Sequence, residues 1–481
     1  MVIPFDNSFA RLPKQFFVPQ TPTPVKSPQL VIVNKTLAAD MGININDIPV
    51  DVLAGNRIPE GATPIATAYA GHQFGGFSPQ LGDGRAVLLG EVIAPDGTRR
   101  DLQLKGTGRT MFSRGGDGRA TLGAVLREYV LSEAMAAMHI PTTRALGAVT
   151  TGEYVPREDM HPGAVLARVA ASHIRVGTFQ FHYARRDEKA LKILADHVIA
   201  RHYPQAKTAR NPMLALLENV MERQAVLIAK WMQIGFIHGV MNTDNMAITG
   251  ETIDYGPCAF MDGFDSNKVF SSIDHAGRYA WDNQPKIAHW NLTQFANTLI
   301  PLIDDDQDKA VAAAQDLLGG FSRMFTQEHT AAFSQKLGLL SHQSGDSALI
   351  DDLLTLLAAE TIDFTLFFRN LRDFAKTGGG AARAMFKNPA GFDIWMQTWQ
   401  RRTVHDDAKS RADMMQRANP AFIPRNHRLE QLITAAEDGD LAPFNTLMRV
   451  LAKPYDDQPE YAKYALPPQP KDVVHKTFCG T

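Results

Sequence analysis

HGVMNTDNMAITGETIDYG, residues 238–256, is the stretch from which the rest of the chain can be ordered. An apolar-periodic run over residues 213–234 precedes it and predicts a helix that stops at Gly235. The chain then enters a loop rich in oxygen ligands, with Asn242, Asp244 and Asn245. Residues 246–249 and 251–253 are expected to form a short hairpin turned at Gly250, returning Asp254 to the side of Asn245. An amide oxygen facing a carboxylate suits a hard divalent cation, which fills its other positions with water and nucleotide phosphates. A polar loop followed by a plain Asp-Tyr-Gly turn is the competing reading, because Asp and Asn are common turn formers.

Spacing sharpens the choice. Protein-kinase-like enzymes carry a His-x-Asp-x-x-x-x-Asn loop followed by a hairpin and an Asp-Phe-Gly, with the Asn and the final Asp on the metals. His238, Asn245 and Asp254-Tyr255-Gly256 fit that frame. The position two residues after the His, where a kinase keeps the Asp that accepts the substrate proton, is Val240. Asp244 is the only spare carboxylate in the loop, so a proton acceptor has to work from a different place. The pattern is that of a kinase fold put to other chemistry.

Upstream, YAGHQFGGFSPQLGDGR at residues 69–85 is Gly-rich and leads into a predicted strand at 86–92. Glycines let backbone amides approach phosphate, although Gly71, Gly75 and Gly76 also suit a structural loop. In Gly82-Asp83-Gly84-Arg85 a bidentate-capable Arg follows a tight turn. Pro95-Asp96-Gly97 closes a hairpin, and in the returning strand, 101–105, alternation sets Leu102 and Leu104 opposite Asp101, Gln103 and Lys105. Lys105 stands where a kinase holds its phosphate-binding Lys, and Glu128 lies in the next helix, predicted from an N-cap at Thr121 to about Met138. Between them an insert carries Arg109, Arg114, Asp117, Gly118 and Arg119. Strands at 145–149 and 164–170 follow, with His161-Pro162-Gly163 as the turn before the second. Arg168 interrupts that apolar strand and Arg175 comes shortly after; a buried Arg needs a partner, which either phosphate or a structural carboxylate could supply.

Beyond residue 187 the chain reads as mostly helical, at 187–202, 213–234, 292–302, 308–318, 327–337, 349–359 and 392–401. Strands first and helices after predict an α+β, bilobal, protein-kinase-like fold: an N-terminal extension (1–60), a strand-rich N-lobe (61–170), a helical C-lobe (171–410) and a C-terminal extension (411–481). The chain has 481 residues, 44% hydrophobic and 21% charged, and a formal charge of −2, which gives no reason to invoke nucleic acid or an anionic membrane. Without a long apolar run or a leader-like N-terminus, a cytoplasmic location is expected. Two cysteines, Cys258 and Cys479, are too few for a disulfide framework.

FDNSFARLP, GHQFGGFSPQLGDGRA, QLKGTGRTMFSRGGDGRA, HGVMNTDNM, DYGPCAFMD, NPAFIPRNH and the terminal Cys479-Gly480-Thr481 together resemble the selenoprotein O family of kinase-like protein adenylyltransferases. The resemblance implies that ATP binds in a flipped orientation and that AMP passes to a Ser, Thr or Tyr hydroxyl of a protein substrate. It implies a nucleotide site of Gly82, Gly84, Arg85, Lys105, Asp117, Gly118, Arg168, Arg175 and Asp254. It further implies Asn245 and Asp254 on Mg²⁺ or Mn²⁺, Glu128 paired with Lys105, and Asp244 as proton acceptor. Cys479 occupies the place of a C-terminal redox residue, but Ser271 and Ser272 stand where some relatives have its partner, which leaves Cys258 as the alternative.

Overall fold

Along residues 99–105 successive side chains point to opposite faces, and this alternation sets which side of the sheet carries chemistry. The structure, a computed structural model, describes residues 3–477. In chain order its first strands are β1 (Phe17–Pro19), β2 (Gln29–Val33), β3 (Ile65–Thr67), a separate hairpin of β4 (Gly71–Gln73) and β5 (Gly76–Ser78), β6 (Ala86–Ile93), β7 (Arg99–Lys105), β8 (Ala120–Thr121), β9 (Arg144–Pro156) and β10 (Met160–Ala170). The main sheet runs β1-β3-β6-β7-β10-β9-β2, antiparallel throughout, with β8 added against β10.

Leu102 and Leu104 of β7 join Val165, Ala167 and Val169 of β10 on one face. That face is covered by Leu37, Val52 and Leu53 from α1 (Lys35–Asp40) and α2 (Val50–Ala54), so the N-terminal segment roofs the sheet and also lends it β1 and β2. The other face receives α3 (Leu122–Ala137), whose N-cap Thr121 accepts from the Ala124 amide and whose Leu126, Val130 and Leu131 are fully buried.

Two local expectations need correction. The β9–β10 turn lies at Arg157–Asp159, where the Arg157 amide donates to the Asp159 carbonyl at 2.9 Å. His161-Pro162-Gly163 is inside β10, where a bulge between Pro162 and Ala164 accommodates a residue that cannot donate to the ladder. Nor do residues 246–253 pair as a hairpin: Ala247 bridges to Arg175, while Thr252 runs parallel to Thr142. Only the turn is as expected, with the Gly250 amide on the Ala247 carbonyl and Gly250 at φ +73°.

Glu251, just after this turn, accepts from the Ala171 amide at 2.9 Å and has Arg100 3.8 Å away. Burial pushes its carboxyl up to about 7, and those two partners reverse only part of that. A carboxyl that keeps its proton longer in the folded than in the unfolded chain costs stability as pH rises, here between 4.5 and about 7. Glu251→Gln is therefore expected to gain on the order of 2 kcal/mol over wild type between pH 5 and pH 8. Urea unfolding at both pH values checks this, and curves that shift in parallel would clear Glu251 as the source.

The remainder is helical: α4 (Val176–Tyr183), α5 (Glu188–His202), α6 (Pro212–Gln233), α7 (Gln284–Ile303), α8 (Gln307–Gly319), α9 (Phe321–Leu337), α10 (Asp346–Ala359), α11 (Phe364–Thr377), α12 (Ala390–Arg402), α13 (Ala408–Ala418), α14 (Asn426–Glu437) and α15 (Ala442–Leu451). Periodicity alone does not separate α4, α11 and the helices from α13 onward, and α13 runs across residue 411. Asn211 caps α6 by accepting from the Met213 and Leu214 amides, Pro212 opens it, and Gly235 at φ +70° turns the chain out of it. β11 (Phe236–Ile237) then pairs with β12 (Ala259–Phe260), so a two-stranded ribbon brackets residues 238–258. α14 packs on α3, where a Cβ on Gly123 would lie 2.8 Å from Ile433. Thr477 closes the described chain as a parallel bridge to Ser271, and its hydroxyl donates to the Pro257 carbonyl. Cys258 is buried, while Cys479, for which it is the alternative redox partner, lies outside the described residues. No helix among the described residues is long and apolar enough to cross a membrane.

Candidate active site

The ribbon delivers His238 into the core, where it stacks on Trp231 at 5.3 Å and its Nε2–H donates to the Ile253 carbonyl at 2.9 Å. Burial pushes its imidazole down, so it is a neutral clamp between the two arms of the loop. Val240 is buried. The side-chain amide of Asn245 donates to the Val240 carbonyl at 2.9 Å, which leaves the amide oxygen as its unspent acceptor.

Asp254 has φ +62°, a conformation uncommon for a non-Gly residue, and three cations converge on its carboxylate. Lys105 Nζ is 3.1 Å and Arg168 2.7 Å from Oδ1, and Arg175 donates to Oδ2. Glu128 on α3 closes the network, with Oε2 2.6 Å from Lys105 and Oε1 3.1 Å from Arg168. Arg168 also donates to Gln103 at 2.6 Å. The buried Arg in the apolar strand thus has carboxylate partners, one of the two alternatives its sequence left open. Burial would raise the Asp254 carboxyl, but Arg175, Lys105 and Arg168 outweigh it and hold the group well below the usual carboxylate range. Three cations against two carboxylates leave one positive charge over, which favours an anionic ligand.

Asp244 sits on a different wall. Its backbone carbonyl accepts from Arg175, and its Oδ2 accepts from Gln73 at 3.1 Å. Its Oδ1 is buried without a hydrogen-bond partner, and burial pushes the carboxyl up to about 6. The β4–β5 hairpin lies directly on this loop: the His72 amide donates to Thr243 at 2.7 Å and the Phe74 amide to Asn242 at 3.1 Å. A Cβ on Gly71 would stand 2.3 Å from Asp244 Oδ1, so glycine is required there for close approach rather than for backbone freedom. Gln73, Gln180 and Tyr279, which hold the loop residues from three separate elements, were not anticipated, because no local pattern announces contacts of such long range.

The other expected residues have contacts of their own. Gly82 (φ +127°) and Gly84 face Phe112: a Cβ on either would lie 2.4 Å from its ring or 2.8 Å from its carbonyl. Between them the Asp83 carboxylate accepts from the Thr67 amide and hydroxyl at 2.9 and 2.7 Å. The Arg85 carbonyl accepts from the Gly106 amide, tying this turn to the end of β7. Asp117 pairs with Arg157 at 2.8 Å, and a Cβ on Gly118 would lie 2.1 Å from the Gly108 carbonyl, so neither belongs to the Asp254 network. In the same insert Arg109 donates to the Gly115 and Gly116 carbonyls, and Arg114 is exposed.

One further side chain joins the site to the end of the chain. Arg127, beside Glu128 on α3, donates to the Gly256 carbonyl at 3.2 Å and the Cys258 carbonyl at 2.7 Å, and reaches Asn426 and Glu430 of α14 at 3.3 and 3.4 Å. A planar guanidinium fork suits such bridging.

Among the described residues no three His, Cys, Asp or Glu side chains gather into a metal site of their own. One amide oxygen and one carboxylate would suffice only for a cation that keeps waters and brings phosphate oxygens with it, which is how Mg²⁺ binds. The orphaned buried Oδ1 of Asp244 fits a site that is completed by a ligand.

Comparison with known proteins agrees with the resemblance carried by the Gly-rich and loop motifs. The family model described as "Protein adenylyltransferase SelO" matches residues 1–452. The chain is 59% identical to a Rhodopseudomonas palustris protein named "Protein nucleotidyltransferase YdiU", over 99% of both chains. Proteins of the same name from a Bradyrhizobium species and from Methylorubrum extorquens are 57% and 56% identical, over 99% and 100% of this chain and 99% of theirs. Matched by that model from its first residue to the end of α15 and by these relatives along nearly its whole length, the chain belongs to the SelO family.

Proposed function

We propose that the protein is a protein adenylyltransferase, moving AMP from ATP to a Ser, Thr or Tyr hydroxyl of a protein and releasing pyrophosphate. The observation that carries this is the convergence of Lys105, Arg168 and Arg175 on Asp254, in a chain whose relatives are named as nucleotidyltransferases. The strand-rich and helical parts would be the two lobes of a protein-kinase-like fold, with this cluster between them.

Phosphoryl-type transfer needs positioning and charge stabilisation more than covalent help from the protein. Lys105, Arg168 and Arg175 would take up the negative charge that develops on the nucleotide phosphates. Gly82, Gly84, Arg85, Asp117 and Gly118 would shape the surrounding phosphate wall. Asn245 and Asp254 would hold Mg²⁺ or Mn²⁺, which when bound neutralises phosphate charge. The acceptor oxygen forms its new bond to the α-phosphorus as the bond to pyrophosphate breaks, and the hydroxyl proton goes to Asp244. Val240 cannot accept it.

Incubation with ATP labelled on either the α- or the γ-phosphate tests the assignment. Label from the α-position in protein, with pyrophosphate released, is the expected result. Label from the γ-position would make the protein a kinase instead, and label from neither a nucleotide-binding pseudoenzyme.

Lys105 and Glu128 are expected to differ in severity. Lys105→Ala removes a cation and should lower transfer about 100-fold, the usual scale for losing one charge-stabilising donor. Glu128→Ala should cost less, because Lys105 keeps its second anchor on Asp254. Initial rates at saturating ATP check this ranking, and an unchanged Lys105→Ala rate would return the lysine to a structural role.

A further inference from the structure

Arg278 lies at the other end of the β4–β5 hairpin from Asp244. Its guanidinium carbon is 4.8 Å from the Trp290 ring and 5.7 Å from the Tyr279 ring. A Cβ on Gly75 would stand 3.7 Å from the same carbon. Among the described residues no carboxylate pairs with this guanidinium, and its Nε is buried without a partner. Of the two acids four residues away in sequence, Asp282 is exposed, and Asp274 spends its oxygens on the Arg278 and Tyr279 backbone amides at 2.9 and 2.8 Å. Tyr279 in turn donates to Asn242 at 2.6 Å, two residues from Asp244.

The cations on Asp254 have counter-charges: Arg168 and Lys105 have Glu128 and Asp254, and Arg175 has Asp254. Arg278 instead is half-buried, held in an aromatic slot, and faces a hairpin tip whose Gly75 and Gly76 present no side chain. A partly desolvated cation in a fixed orientation, without an internal counter-charge, is suited to pair with an anion on an incoming chain. The aromatic rim beside it is His72, Phe77 and Trp290, with His72 packing against the other two at 4.8 and 5.2 Å. Such rings accept an extended peptide without demanding a particular residue.

We infer that Arg278 is a specificity-determining residue, which selects acceptor segments bearing a carboxylate side chain near the hydroxyl to be modified. The hairpin sets the geometry: one end rests on Asp244, which takes the hydroxyl proton, and the other on Arg278, which takes the neighbouring acid. This rests on the transfer reading above, because it supposes a protein hydroxyl presented to Asp244.

The test uses the full chain, α-labelled ATP and synthetic peptides with a single Tyr, Ser or Thr hydroxyl flanked by Glu, Gln or Lys. Wild type is expected to use the Glu-flanked peptides about tenfold better than the Gln-flanked ones, and the Lys-flanked ones least. Arg278→Glu should invert the order so that Lys-flanked peptides lead, and Arg278→Lys should keep the order with a smaller ratio. Because each ratio is taken within one protein preparation, partial loss of folded enzyme does not affect it. Equal use of the three peptide sets by wild type would overturn the inference and leave the transfer reading standing. A rise in the KM for ATP in Arg278→Glu, with all peptides slowed alike, would also overturn it, by placing Arg278 on the nucleotide. Absence of α-label from every peptide would overturn the transfer reading itself.

Discussion

Asp254→Ala should abolish transfer. The carboxylate is the common partner of Lys105, Arg168 and Arg175, and under the proposed function it is also one of two oxygen ligands for the metal. Its loss leaves Lys105 and Arg168 with Glu128 alone as counter-charge and Arg175 with only the Asp244 backbone carbonyl, inside a site where Arg168 is almost entirely buried. Breaking a buried ion pair from one side typically costs about 3–5 kcal/mol, so this variant should also melt at a lower temperature. Asp254→Asn separates the two effects: it keeps the shape and an acceptor oxygen for one cation, and should recover part of the stability while remaining inactive. Labelling at the wild-type rate by either variant, with Mg²⁺ or Mn²⁺ present, would show that the centre of the site has been misplaced.

Asp244→Asn is expected to lower transfer by about 10²–10⁴-fold, the range for a positioned general base, while ATP still binds. The asparagine keeps an oxygen to accept from Gln73, and the orphaned Oδ1 is the atom whose basicity is lost. Calorimetric ATP affinity and the initial transfer rate have to be measured on one preparation. A parallel fall in both would assign Asp244 to the metal or to the fold, and full transfer activity would remove it from the chemistry.

What could be read in the sequence is what spacing encodes. The order of Lys105, Glu128, His238, Asn245 and Asp254 was legible because a kinase-like frame fixes those intervals, and the structure brings Lys105, Glu128 and Asp254 within hydrogen-bonding distance. Strand alternation in β7 was legible for the same kind of reason: a period of two needs no tertiary information. Pairing partners were not. Residues 246–253 look like a hairpin because Gly250 turns them, yet Ala247 and Thr252 find their backbone partners near residues 175 and 142. The resemblance implies Asp117 at the nucleotide, and nothing local in the sequence announces that Arg157, from the β9–β10 turn, pairs with it. Gln73 on Asp244 lies 171 residues away along the chain, beyond any local signal.

The fork of Arg127 has a consequence for the newly made protein. Its partners Asn426 and Glu430 lie 299 and 303 residues downstream, so α3, already within reach of the Gly256 and Cys258 carbonyls, can be fastened to α14 only when most of the chain has left the ribosome. At about 5–20 residues per second that delay is roughly 15–60 s. Once Asp254 has been made, a nascent chain carries every side chain of the cation cluster but still lacks the outer brace on α3. A prematurely terminated product ending before α14 would be left without that brace.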